Sequence, residues 1–96
     1  MYSNKKVLIT GASSGLGKSL ALAYANQNAK IINLSRSIEK MTTLNNQLNN
    51  INKLNNKFFS VDVSKYDEIL KIKNSLQREN NLPDIIINNA AGNFLC

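Results

Sequence analysis

The sequence predicts an α/β fold, a doubly wound parallel sheet in the order β-α-β-α-β-α-β. Three observations predict it. Short apolar runs rich in β-branched residues recur as KVLIT at 6–10, AKIINLS at 29–35, FFSV at 58–61 and DIIIN at 84–88. Between successive runs lies a stretch long enough for a helix, with apolar residues three and four apart. The strand runs are near-continuously apolar, as befits strands covered on both faces. Parallel strands, helices on both faces and right-handed crossovers satisfy all three.

Each element has its own justification. Lys6–Thr10 reads as a buried strand. A helix follows over 14–27, with Leu16, Leu20, Ala23, Tyr24 and Gln27 at helical spacing among many alanines. Ala29–Ser35 is the second strand. From Ile38 to about Asn50 the residues Met41, Leu44, Leu48 and Ile51 mark a second helix. Phe58–Val61 is the third strand. Ser64 suits the N-cap of a third helix to about Asn80, with Ile69, Ile72 and Leu76 facing inward. Pro83 breaks the chain before the strand Asp84–Asn88. Residues 45–56 hold seven Asn, so they read as the back half of a solvated helix and a loose loop. Asn is a poor helix former, which makes this helix the weakest.

Composition narrows the function. The 96 residues suffice for one small domain. No apolar run approaches the ~18–20 residues of a membrane span. The opening MYSNKKVLIT enters a strand almost at once and does not resemble a signal peptide, so a cytoplasmic location is expected. The only cysteine is Cys96 and there is no histidine, which argues against a disulfide, a zinc cluster and the commonest general base. Net charge is +6, but the lysines are scattered and lack interleaved aromatics. That pattern argues against nucleic acid and for a field that attracts an anionic cofactor.

Residues 10–19, TGASSGLGKS, form a glycine-rich run after a strand. A P-loop needs four residues between its first Gly and Gly-Lys-Ser, and that position is Ala12, not Gly. The pattern G-x-G-x-x-G also fails. What fits is T-G-x-x-x-G-x-G. On this run the chain resembles the short-chain dehydrogenase/reductases, whose first turn works like a Rossmann turn. The resemblance implies that Gly11, Ser13, Ser14, Gly15 and Leu16 bind a dinucleotide, with Gly17 letting the helix pack closely. The helix N-terminus then faces the phosphates.

Three further strand ends extend the resemblance. After the second strand, Ser35 stands where enzymes choosing NAD carry an acid, and Arg36 follows. An acid would repel a 2′-phosphate and Arg would clamp it, which favours NADP(H). A solvated loop charge is the plainer reading of Arg36. After the third strand, Asp62-Val63 resembles the family's adenine contact, although Asp62 equally suits a turn cap. The fourth strand ends in N-N-A-A-G-N-F, close to the family's N-N-A-G tag, which adds Asn89 and Ala90 to the cofactor set. The longer string resembles the 2,4-dienoyl-CoA reductase branch, in which the counterpart of Phe94 lines the acyl pocket. Ser64 departs from that branch, which often carries Arg there.

The family's chemistry needs a Tyr with a Lys four residues on, well beyond the tag. Tyr2 and Lys6 have that spacing but precede the first strand, on the wrong edge. No catalytic residue is therefore assigned. Residues 1–96 read as the dinucleotide-binding N-terminal part of one reductase domain, with its catalytic part absent. The resemblance implies an NADP-dependent oxidoreductase, acting on an acyl-CoA or a carbonyl substrate and homo-oligomeric at full length. A catalytically inactive NADP-binding module is the alternative.

Overall fold

The computed structural model describes residues 3–12 and 15–89. Its elements are β1 (Lys6–Thr10), α1 (Gly15–Asn26), β2 (Lys30–Ser35), α2 (Ile38–Ile51), β3 (Lys57–Ser60), α3 (Tyr66–Arg78) and β4 (Ile85–Asn88). The four strands are parallel, in the order β3-β2-β1-β4. The expected α/β order and parallel sheet are thus the observed ones. After β3 the chain passes back across β2 and β1 and lays β4 on the far side of β1. This reversal sends α3 to the opposite face from α1 and α2.

Alternate strand residues serve the two faces. Val7, Ile9 and Ile31 pack with Ala21 and Ala25 of α1 and Leu44 and Leu48 of α2. Leu8, Ile32 and Leu34 pack with Val61 and with Leu76 of α3. The α3 side is less covered. A groove of about 360 Å³ there is lined by Leu8, Leu34, Ile72, Leu76 and Ile86. Ile86 remains 52% exposed.

The buried row of α1 is Gly17, Ala21 and Ala25, not the row through Leu16 and Ala23. Leu16 is 68% exposed. The helix lies so close to the sheet that only small residues fit beneath it, while Leu20 and Tyr24 pack at the flanks. α2 and α3 bury the faces their spacing predicts, except that Ile51 is 37% exposed at the end of α2.

Ser64 does not cap α3. The N-cap is Lys65, which makes no side-chain cap bond, and the helix starts at Tyr66. The Ser64 hydroxyl instead donates to Asp62 Oδ1 at 2.6 Å. Residues 45–51 of the asparagine-rich tract are the back half of α2, as expected, but residues 52–56 are not a loose loop. Asn56 Oδ1 accepts the buried Ile31 N–H at 2.7 Å. Asn56 Nδ2 donates to Asn49 Oδ1 and Asn52 Oδ1. Asn52 Nδ2 donates to the carbonyls of Ala25 and Ala29. Three asparagines thus tie the end of α2 to the end of α1 and the start of β2, supplying partners that buried backbone groups need.

Asparagine also takes the left-handed turns. The non-glycine residues of positive φ are Asn4, Asn28, Asn55 and Asn80. Asn28 and Asn80 close α1 and α3 in the position glycine usually holds, with Ala29 N–H bonding Tyr24 O and Asn81 N–H bonding Leu76 O. Below α3, Lys6 Nζ donates to Asn80 O, Lys30 Nζ to Asn81 Oδ1 and Lys57 Nζ to Glu79. Cations therefore meet the negative end of that helix. Burial lowers the Lys30 pKa, and Lys57 and Lys6 lower it further.

Asn56→Leu leaves the Ile31 N–H without its acceptor. The expected cost is about 1–3 kcal/mol in urea unfolding. A midpoint equal to wild type would refute the role given to Asn56.

Candidate cofactor-binding site

All four strands deliver their carboxyl ends to one edge, where open α/β sheets bind ligands. The register sets Thr10 beside Leu34 and Asn88, and Ser35 beside Ser60. The chain leaves β1 at Gly11 with φ 71° and enters α1 at Gly15 with φ 60°. Both are left-handed conformations that glycine adopts without steric cost. A Cβ on Gly15 would meet nothing within 4 Å, so backbone conformation alone requires that glycine. Gly17 is required by space. A Cβ there would lie 2.9 Å from Ala12 Cα and nearer still to the Gly11 carbonyl oxygen and Asn89 Nδ2.

The peptide joining Gly11 to Ala12 is gripped from both flanks. Asn89 Nδ2 donates to its carbonyl oxygen at 3.2 Å. Asn33 Oδ1 accepts its N–H at 3.2 Å. Gly11 N–H donates to Leu34 O at 2.8 Å, and Asn89 N–H to Thr10 Oγ1 at 3.0 Å. The entry to the glycine-rich turn is therefore fixed before any ligand arrives.

Beside it opens a cleft of about 380 Å³ lined by Gly11, Leu34, Ser35, Arg36, Val61, Asp62, Val63 and Ser64. Leu34, Val61 and Val63 give it apolar walls suited to a flat ring. Arg36 is 76% exposed along its side chain and pairs with Asp62 Oδ2 at 3.0 Å. Asp62 Oδ1 accepts from both the hydroxyl and the N–H of Ser64. The Ser64 hydroxyl, the Ser64 amide and the Arg36 guanidinium hold the Asp62 carboxyl down at about 2. Asp62 is thus a turn cap, as one of its two readings has it, and an ion-pair partner as well. The N-terminal turn of α1 contains no acid, whereas α2 has Glu39 and α3 has Asp67 and Glu68 there. The positive end of α1 therefore stays available to an anion.

These features fit a phosphorylated dinucleotide. The structure brings Gly11, Arg36, Asp62 and Val63 to one cleft and sets Asn89 behind Gly11. Gly15 and Leu16 open α1, Leu16 outside the cleft. Ser13, Ser14, Ala90 and Phe94 lie outside the described residues, as does Tyr2. Lys6 is at the opposite edge, its Nζ donating to Asn80 O. Sequence reasoning missed Asn33, whose signal was an amide inside an apolar strand, and the bonds of Ser64 to Asp62.

Residues 5–95 match the model of the short chain dehydrogenase family. The chain belongs to the short chain dehydrogenase family. It is similar to the NADPH-dependent pterin aldehyde reductase of Arabidopsis thaliana, 36% identical over 86 residues, covering 90% of this chain and 35% of that protein. It also resembles a probable 2,4-dienoyl-CoA reductase of Caenorhabditis elegans, 27% identical over 95 residues, covering 98% and 31%. The L-sorbose reductase of Gluconobacter frateurii, solved with NADPH and L-sorbose, superposes with a TM-score of 0.85 at 27% identity, covering 94% and 34%. The chain thus spans about a third of the length of these relatives. Among the described residues no helix is long and apolar enough to cross a membrane.

Gly17→Ala drives a methyl group into two backbone atoms of the turn, so α1 must move off the sheet. Overpacking of this kind costs about 1–3 kcal/mol. Urea unfolding of the variant should show that loss, and a wild-type midpoint would contradict the close approach. A second test concerns acid. The folded Asp62 carboxyl titrates below its unfolded value, so its contribution is complete above the ordinary carboxylate range and is lost as pH falls toward 2. The carboxyl-carbon shift of Asp62 should titrate near 2 in wild type and higher in Ser64→Ala; equal midpoints would remove Ser64 as the main cause.

Proposed function

We propose that the chain is the cofactor-binding part of an NADP(H)-dependent short-chain reductase. The observation that carries the choice of cofactor is the end of β2. Ser35 stands where an acid would select NAD, and the exposed Arg36 guanidinium stands at the mouth of the cleft. A 2′-phosphate there would meet the bidentate Arg36 cation, which would exchange its pairing with Asp62 for the phosphate. The similarity to an NADPH-dependent pterin aldehyde reductase and to an L-sorbose reductase solved with NADPH supports the reading.

Gly11, Gly15 and the N-terminal turn of α1 would hold the pyrophosphate. Arg36 would hold the 2′-phosphate, and Val63 and Asp62 would lie against the adenine. Ser13, Ser14, Leu16, Asn89 and Ala90 complete the assigned set. NADP(H), when bound, supplies the hydride. The proton would come from a Tyr and Lys pair beyond residue 96, so the 96 residues alone would bind cofactor without turnover.

For the substrate we favour an enoyl- or dienoyl-CoA thioester in fatty-acid metabolism. The string N-N-A-A-G-N-F supports it, with Phe94 against the acyl chain. The higher identity to a pterin aldehyde reductase favours a second reading, a carbonyl reductase of the same family. CoA-thioester specificity of the whole protein separates the two. A cytoplasmic homo-oligomer is the assembly proposed.

Fluorescence titration of the chain with NADPH and NADH tests the cofactor. NADPH should bind about 10- to 100-fold more tightly, the worth of a charged hydrogen-bond pair. Arg36→Ala should erase that preference and leave NADH affinity unchanged. Equal affinities in wild type would refute the assignment.

A further inference from the structure

Asn33 is the anomaly of the sheet. It sits in β2 among buried Ile31, Ile32 and Leu34 and is itself 2% exposed. Its cross-strand partners are Ile9 and Phe58. A β-branched apolar residue would suit this position better, and a buried amide costs free energy unless it is bonded. Its Oδ1 accepts the N–H of Ala12, a residue with no exposed surface.

That N–H belongs to the peptide whose carbonyl Asn89 holds from just past β4. Gly11, at φ 71°, precedes it, and glycine gives this peptide more freedom to rotate than any other residue would. α1 leans on the same peptide, because Gly17 leaves no room for a Cβ against Gly11 O and Ala12 Cα. Two asparagines from opposite sides of β1 therefore fix the orientation of one rotatable peptide. Through its contact with Gly17, that peptide also bears on how α1 sits against the sheet.

We infer that Asn33 is a positioning residue for cofactor binding: it locks the Gly11–Ala12 peptide so that the turn and the first amides of α1 are preorganised for a dinucleotide pyrophosphate. This rests on the cofactor reading above. Asn33 lies beneath the turn and acts through Ala12.

The test compares wild type, Asn33→Leu, which lacks the acceptor, and Asn33→Asp, which keeps it. NADPH affinity, the urea midpoint and amide hydrogen exchange by NMR are measured on the 96-residue chain. Asn33→Leu should bind NADPH about tenfold more weakly. Its Ala12 amide should lose protection while the amides of β2 and β3 keep theirs. Asn33→Asp, which has the same shape and keeps the acceptor, should retain affinity within about threefold; the loss of protection confined to the Ala12 amide in Asn33→Leu is what a purely packing role would not predict. Unchanged affinity in Asn33→Leu, or protection lost evenly across the sheet, would overturn the inference. Where Asn33→Leu does not fold, Asn33→Thr takes its place, with a strand-forming residue too short to reach Ala12 and the same expectations. If wild type binds no NADPH, the cofactor reading falls and the Ala12 amide decides alone. Protection lost there alone supports the lock; protection unchanged refutes it.

Discussion

Everything at the ligand edge depends on one peptide plane. The bond between Gly11 and Ala12 carries the chain out of the central strand, and its carbonyl and N–H are held from opposite sides. Freedom at Gly11 lets the chain turn sharply, and the same freedom would let the turn wander. The flanking asparagines supply the restraint that glycine cannot. α1 then packs against the restrained backbone through Gly17, and the helix end acquires a fixed direction. A binding edge made of main-chain amides gains its selectivity from such direction, because the amides themselves are chemically alike.

The molecule solves several backbone problems with one side chain. Asparagine offers a donor and an acceptor on a short stem and tolerates left-handed backbone. At Asn28 and Asn80 the backbone tolerance is used. At Asn52 and Asn56 the amide is used, because buried carbonyls and an N–H need partners there. At Asn33 and Asn89 the same amide fixes a turn. Within a composition that resembles a low-complexity tract, Asn49, Asn52 and Asn56 form a set of specific bonds.

The order of elements and the parallel sheet were legible in the sequence. Those features rest on hydrophobic period and turn chemistry, which are local. The faces of α2 and α3 were legible for the same reason, since Met41, Leu44, Leu48 and Leu76 are large and buried. The face of α1 was not. Periodicity weighs residues by hydrophobicity and so favours Leu16, whereas contact at close range selects the smallest side chains. The roles of Asn56 and Ser64 were hidden because hydrogen-bond partners distant in sequence or shifted by a residue leave no periodic trace. Arg36 was visible as a charge, but its pairing with Asp62 required the two strand ends to be side by side.

The position of β4 has a consequence for the order of events in synthesis. Asn89 and Gly11 are 78 residues apart, yet their bond closes the turn. Loops of that length close slowly, and parallel pairings reward the chain only after closure. β1 and β2 can therefore meet early, while the side of the turn that faces β4 stays open until β4 has been made. The nascent chain passes through a stage with a central strand exposed along one edge and no finished cofactor turn. Cofactor captured after β4 docks would draw the equilibrium toward the closed sheet.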